Sequence, residues 1–172
     1  AFAPKMSIMS AEQAELEQMK RYLENYAPCS ISDAVYFFRY TRSKAKRLME
    51  QCVSASSGML IWIDGVVIKE TGTVYDSKAT NAIFVLPGFD PLLVGYEKKE
   101  NGMVPTEHLR DVYNLQGIIK PVILHKGQCI ATWTVRKDTI YIKPFQADNK
   151  AACERAEKQI RNLTQCSECR YE

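Results

Sequence analysis

The sequence predicts an α+β fold in two parts. The first observation is three short helical stripes followed by two β-rich runs across Asp64-Gly65 within residues 10–70. That order, three helices and then a β-hairpin wing, is a winged helix. The second is a change to strand character after residue 82, which predicts a β-rich C-terminal subdomain with a terminal helix over residues 82–165. The third is length: 172 residues suffice for one substantial domain or two small ones.

Each element has a local reason. Leu16, Met19, Leu23 and Tyr26 recur at helical spacing between charged residues, so Ser10 to Tyr26 reads as a helix that Pro28 ends. Ser30 and Asp33 make a helix start, with a hydroxyl at the N-cap and a carboxylate three residues on. Ile31, Ala34, Val35 and Phe38 are the apolar stripe of that second helix. Thr41 caps a third, whose buried stripe is Ala45, Leu48, Met49 and Cys52. Asp64-Gly65 tolerates the positive φ angles of a type I′ turn between Met59–Ile63 and Val66–Glu70.

Thr71 to Asn81 reads as a polar linker. Beyond it, Ala82–Leu86 and Leu92–Tyr96 read as extended runs around the turn Pro87–Pro91, and Glu97 to Pro105 as an exposed loop. Thr106–Tyr113 is a short helical segment. Ile118–Leu124 and Gln128–Val135 form a hairpin, and Thr139–Lys143 adds a strand. Asp148 caps a last helix, with Ala152, Arg155, Ala156, Gln159, Ile160 and Leu163 along it. Phe89 and Trp133 are expected in the core beneath the sheet. Asp90 is expected to accept backbone N–H bonds in its turn, with a base or loop anchor as its functional alternative.

Composition excludes some classes. No apolar run approaches the roughly 18 residues of a membrane helix, so no membrane partner is expected. The opening residues lack the basic-then-apolar pattern of a signal peptide. The chain starts at Ala1, which a trimmed Met or a longer parent chain would each explain. The six Cys lie mostly in apolar patterns and read as reduced thiols of a cytoplasmic protein. Cys166-Ser-Glu-Cys169 has no second pair to complete a tetrahedral zinc site, so an idle tail is expected, with metal or redox use as the alternative. Neither His108 nor His125 has an evident partner. No cofactor and no metal are expected.

The net charge of +3 does not by itself imply nucleic acid. Its distribution is more telling. Five of the nine residues from Arg39 to Arg47 are basic and none is acidic, whereas the first 70 residues hold nine Lys and Arg against eight Asp and Glu. With the apolar stripe inward, Ser43, Lys46 and Arg47 point outward, and Arg42 and Lys44 flank them. In a helix-turn-helix the third helix meets the major groove, so these residues are candidate contacts to duplex DNA. The competing reading is a solvated helix face, with Glu50 pairing with Lys46.

Leu86-Pro-Gly-Phe-Asp-Pro-Leu-Leu-Val-Gly-Tyr96, then Gly117-Ile-Ile-Lys-Pro121-Val-Ile-Leu-His-Lys-Gly127 and Ala131-Thr-Trp133, resemble the C-terminal portion of the AlkZ/YcaQ-like winged-helix DNA-binding family. That family includes crosslink-repair DNA glycosylases. Tyr22, Leu23, Tyr26, Pro28 and Asp33 resemble its segment ahead of the basic helix, so the likeness runs from about residue 20 to 145. The resemblance implies a DNA-facing surface and, in a parent protein, upstream winged-helix domains. Tyr96, Lys98 and Lys99 enter an exposed loop as further candidate contacts to the phosphate backbone.

The family's glycosylases use a Gln-x-Gln or Gln-x-Asp pair upstream of the matched region. No Gln-x-Gln occurs here, and Gln146-Ala-Asp148 lies in the wrong context, before the last helix. No catalytic residue is therefore carried over. Three function classes follow from the sequence. The chain is a DNA-binding module of a glycosylase-like repair protein, a partial or complete glycosylase hydrolysing the N-glycosidic bond of a damaged base, or a winged-helix module for protein interaction or transcriptional regulation.

Overall fold

The computed structural model describes residues 9–70, 81–100 and 102–172. The chain divides into two compact units, residues 1–72 and 73–172. Most of the polar stretch from Thr71 to Asn81 lies outside the described residues.

The first unit contains α1 (Ala11–Tyr26), β1 (Cys29–Ser30), α2 (Ile31–Phe38), α3 (Arg42–Ala55), β2 (Leu60–Ile63) and β3 (Val66–Lys69). Each helix starts where a side-chain oxygen can satisfy otherwise unpaired N–H groups. Ser10 and Gln13 form a capping box on α1, and Ser30 and Asp33 form one on α2. The Thr41 hydroxyl accepts from the Lys44 N–H at the start of α3. Helix α1 stops at Tyr26 because Ala27 precedes Pro28 and is steered to extended backbone.

The hairpin turn has Asp64 at φ 48° and Gly65 at φ 83°, both in the left-handed region that a type I′ turn requires. Strand β3 lies between β1 and β2, antiparallel to both. Met19, Leu23, Ala34, Ala45, Leu48, Met49 and Val67 are fully buried and form the core of this unit.

Asp33 is a buried charged residue of this unit. It accepts from the Ser30 N–H at 2.7 Å and the Ser30 hydroxyl at 2.8 Å. Asp33→Ala would leave that N–H without its acceptor, and the expected cost is about 1–2 kcal/mol. Urea denaturation followed by circular dichroism measures it.

The second unit is a five-stranded sheet in the order β4 (Ile83–Leu86), β5 (Val122–His125), β6 (Gln128–Arg136), β7 (Thr139–Pro144), β8 (Glu168–Tyr171). The first four strands pair antiparallel, and β8 pairs parallel to β7. Side chains alternate across the sheet, which gives it two apolar faces. Ile123 joins Ile140, Ile142, Cys153, Ala156 and Ile160 of α6 (Lys150–Thr164) on one face. Val122 and Leu124 join Leu93, Val112, Tyr113 and Cys129 on the other, with the short helices α4 (Pro91–Val94) and α5 (Leu109–Val112).

Several expectations are corrected in this unit. Residues 91–94 are a helical turn, because the Asp90 carboxylate caps it through the Leu92 N–H at 2.9 Å and Pro91 is pre-set for a first helical position. The 97–105 loop is not wholly exposed: Val104 is buried, and the Met103 carbonyl accepts from the Cys129 N–H at 2.7 Å. Strand β5 starts only at Val122, since Ile119 instead bridges Tyr113. Asp148 sits in a 3-10 turn (Ala147–Asn149) and caps nothing. Leu163 is 70% exposed, because the buried stripe of α6 runs through Ala152, Cys153, Ala156 and Ile160. The C-terminal segment is no idle tail. It carries β8, and Cys166 is buried against the α6 face of the sheet.

Candidate nucleic-acid interface

Helix α3 places the basic run. Ala45, Leu48, Met49 and Cys52 are buried as a stripe, which turns the remaining positions outward or toward α1. Arg42 is exposed and donates to the Ser32 hydroxyl at 3.3 Å. Ser43 is exposed, with its hydroxyl 3.2 Å from that of Thr41. Lys46 lies 3.7 Å from Glu50 in the expected i,i+4 pair.

The other two cations face α1. Lys44 is half-buried, forms a 2.6 Å pair with Glu15, and lies 4.2 Å from the Tyr40 ring centroid. Arg47 pairs with Glu12 at 3.3 Å. Glu12 and Glu15 are three apart on one helix and Lys44 and Arg47 three apart on the other, so the pairs form a short ladder between α1 and α3. The sequence reading missed this ladder. It also left Arg39 out of the candidate contacts, although Arg39 belongs to the same basic run. The matched i,i+3 spacing was the available signal, but the helix pairing is needed to use it.

The ladder partly neutralises the basic face. Surface pairs of this kind contribute about 0–1 kcal/mol each and are screened by salt. Replacing Glu12 and Glu15 together by Gln is therefore expected to leave the fold intact. If phosphates compete for these cations, the same change tightens duplex binding a few-fold at low salt. A duplex titration by fluorescence anisotropy reads both the affinity and its salt slope.

Tyr96, Lys98 and Lys99 belong to the second unit. Lys99 is exposed, and its N–H donates to the Glu97 carboxylate at 2.7 Å. Lys98 is half-buried, with its ammonium 5.1 Å from the Tyr113 ring centroid, and Tyr96 is half-buried. The loop start is therefore more ordered by local contacts than an open basic loop would be.

Phe89 corrects another expectation. It is 56% exposed and has φ 57°, so it does not fill the core. Its N–H donates to the Ile119 carbonyl at 3.2 Å, which holds the turn while the ring points out. Trp133 is half-buried, packs against the α6-side core, and donates from Nε1 to the Leu86 carbonyl at 3.1 Å.

One histidine also differs from the reading. His108 has a partner: its Nδ1 lies 2.9 Å from Asp111, and its ring stacks on Phe145 at 4.1 Å. That contact, with Lys143 at 3.3 Å, holds the Asp111 carboxyl below its usual range against the opposing effect of burial. His125 is half-buried; burial, then Lys126 and Arg155, lower its pKa.

All six Cys are free thiols. Among the described residues, no group of three or more His, Cys, Asp or Glu side chains could hold a metal ion. Among them, too, no helix is long and apolar enough to cross a membrane.

The two-unit fold matches a known architecture. The solved Streptomyces sahachiroi DNA glycosylase AlkZ superposes on it with a TM-score of 0.77 at 17% identity, over 97% of this chain and 48% of that one. An interstrand DNA cross-link repair glycosylase from Streptomyces sahachiroi is 26% identical over 85 residues, 49% of this chain and 23% of the relative. The chain thus spans about half the length of the solved protein it resembles. The profile of the family described as "DNA glycosylase AlkZ-like" matches residues 2–165, and the chain belongs to this AlkZ-like family.

Proposed function

We propose that residues 10–70 are a winged-helix unit that holds duplex DNA. In this reading, residues 82–165 are a β-rich subdomain with a terminal helix, and the chain serves a glycosylase-like repair protein. The observation that carries it is the acid-free basic run from Arg39 to Arg47, spread along the α2–α3 turn and the first half of a capped helix, in a member of a DNA glycosylase family. Arg42, Ser43 and Lys46 lead, because they contact Ser32, Thr41 and Glu50 rather than carboxylates of α1. Lys44 and Arg47 join when phosphate displaces Glu15 and Glu12. Tyr96, Lys98 and Lys99 supply a second contact to the backbone.

Binding of this kind is driven by counterion release, so its affinity falls steeply with salt. Base excision is assigned to a Gln-x-Gln or Gln-x-Asp pair that this chain does not contain in a suitable context, with upstream winged-helix domains of a parent protein as its partners. Lys46→Ala with Arg47→Ala is expected to weaken duplex binding and lower the salt slope by about 2. Identical titrations for the double variant and the unmodified protein at low salt would sink the reading. Release of an alkylated base by this chain alone would show that the active site is present after all.

A second reading, a protein-interaction module, is favoured by one feature. Met59, just before β2, and Ile63, its last residue, are exposed apolar residues. Self-association without DNA affinity would select it.

A further inference from the structure

The turn between α2 and α3 sets a cation on an aromatic ring. Arg39 ends α2 at φ 59° and ψ 29°, in the left-handed region that favours Gly or Asn. Its N–H donates to the Val35 carbonyl at 2.9 Å, so the backbone is held there. Tyr36 and Arg39 are three apart and share a face, and the guanidinium carbon lies 4.7 Å from the Tyr36 ring centroid.

Arg39 is exposed, and the Tyr36 ring backs one face of its guanidinium. Tyr40, by contrast, is covered by Phe38 in a 5.1 Å stack and by the Lys44 ammonium at 4.2 Å. Behind them, Tyr22, Tyr26, Phe37 and Phe38 pack ring against ring, with centroids 4.9–5.6 Å apart, and stiffen the turn. No acidic residue occurs between Asp33 and Glu50, and Asp33 is buried in its capping box. The platform is therefore planar, rigid and set in positive charge.

We propose that this turn is a base-stacking platform, on which the Arg39 guanidinium, backed by the Tyr36 ring, receives an unpaired nucleobase of the bound DNA. The inference rests on the DNA-holding reading above and adds a substrate class: DNA in which a base has left the stack. Stacking on a planar cation tolerates every base, because each offers a π-face. The platform would then select for the unstacked state rather than for sequence.

The test uses the full chain and two probes: a short perfect duplex, and the same duplex carrying a single bulged 2-aminopurine. The unmodified protein is expected to bind the bulged duplex about tenfold more tightly and to quench the 2-aminopurine fluorescence at saturation. Arg39→Lys keeps the charge and loses the plane. Arg39→Gly keeps the left-handed turn and loses both. Each is expected to abolish both the preference for the bulged duplex and the quench. An unchanged preference and quench in Arg39→Lys would overturn the platform. Equal binding of both probes by the unmodified protein would overturn it while leaving the DNA-holding reading in place. Failure to bind either probe would overturn both.

Discussion

Above about pH 9 the unfolding free energy is expected to fall by up to about 1.4 kcal/mol per pH unit for each of Cys29, Cys52, Cys129 and Cys153. Cys29 and Cys129 are pushed up to about 12, and Cys52 and Cys153 to about 11, in each case chiefly by burial. All four are buried, so an ionised sulfur there would lose its hydration. The folded-state values lie above the ordinary 9.0. The stabilising contribution is therefore complete below pH 9 and is lost as pH rises toward 11 or 12. In that window the unfolded chain releases protons that the folded chain keeps.

Thermal melts between pH 8 and pH 11 measure the effect. At pH 8 the same four thiols should resist alkylation until the chain is denatured. A flat melting temperature across the window, or prompt labelling of any of these four thiols in the folded protein, would contradict this account.

Leu48→Ala is expected to destabilise the first unit by about 2–5 kcal/mol. Leu48 is fully buried in the middle of α3, within the core that Met19, Leu23, Met49 and Val67 share. The substitution removes several methyl-sized groups, and packed neighbours on two helices and the sheet relax only partly into the space. Urea unfolding should show a lower midpoint with little change in slope. Lys46→Ala on the same helix should change stability by less than about 0.5 kcal/mol, since the residue is exposed and its pair with Glu50 is weak. The contrast separates loss of fold from loss of contact: Leu48→Ala acts through stability, Lys46→Ala through affinity alone.

Much of the first unit was readable from local chemistry. Ser30 with Asp33, Thr41 with Lys44, and Asp64 with Gly65 each act within four residues, and the structure shows every one of these contacts or angles. The buried stripe of α3 follows from helical periodicity. The second unit was less readable. Leu92–Tyr96 looks extended by composition, yet a proline and a capping carboxylate make its start helical. Phe89 looks like a core residue by type, yet its left-handed backbone turns it outward. Hydrophobicity reports which residues can be buried, not which ones the chain direction allows to be.

The basic run shows the same division. Its charge, its capped start and its apolar face are properties of consecutive residues, and the sequence by itself determines them. Which cations stay open was decided only in three dimensions. Lys44 and Arg47 meet Glu15 and Glu12 across separations of 29 and 35 residues, because α1 packs beside α3. Strand β8 likewise finds β7 only after α6 has crossed back over the sheet, since a parallel partner cannot be reached by a tight turn. Caps, turns and stripes are set by interactions a few residues long. Ion pairs between helices and parallel strand pairing depend on how whole elements pack, and no local pattern encodes that.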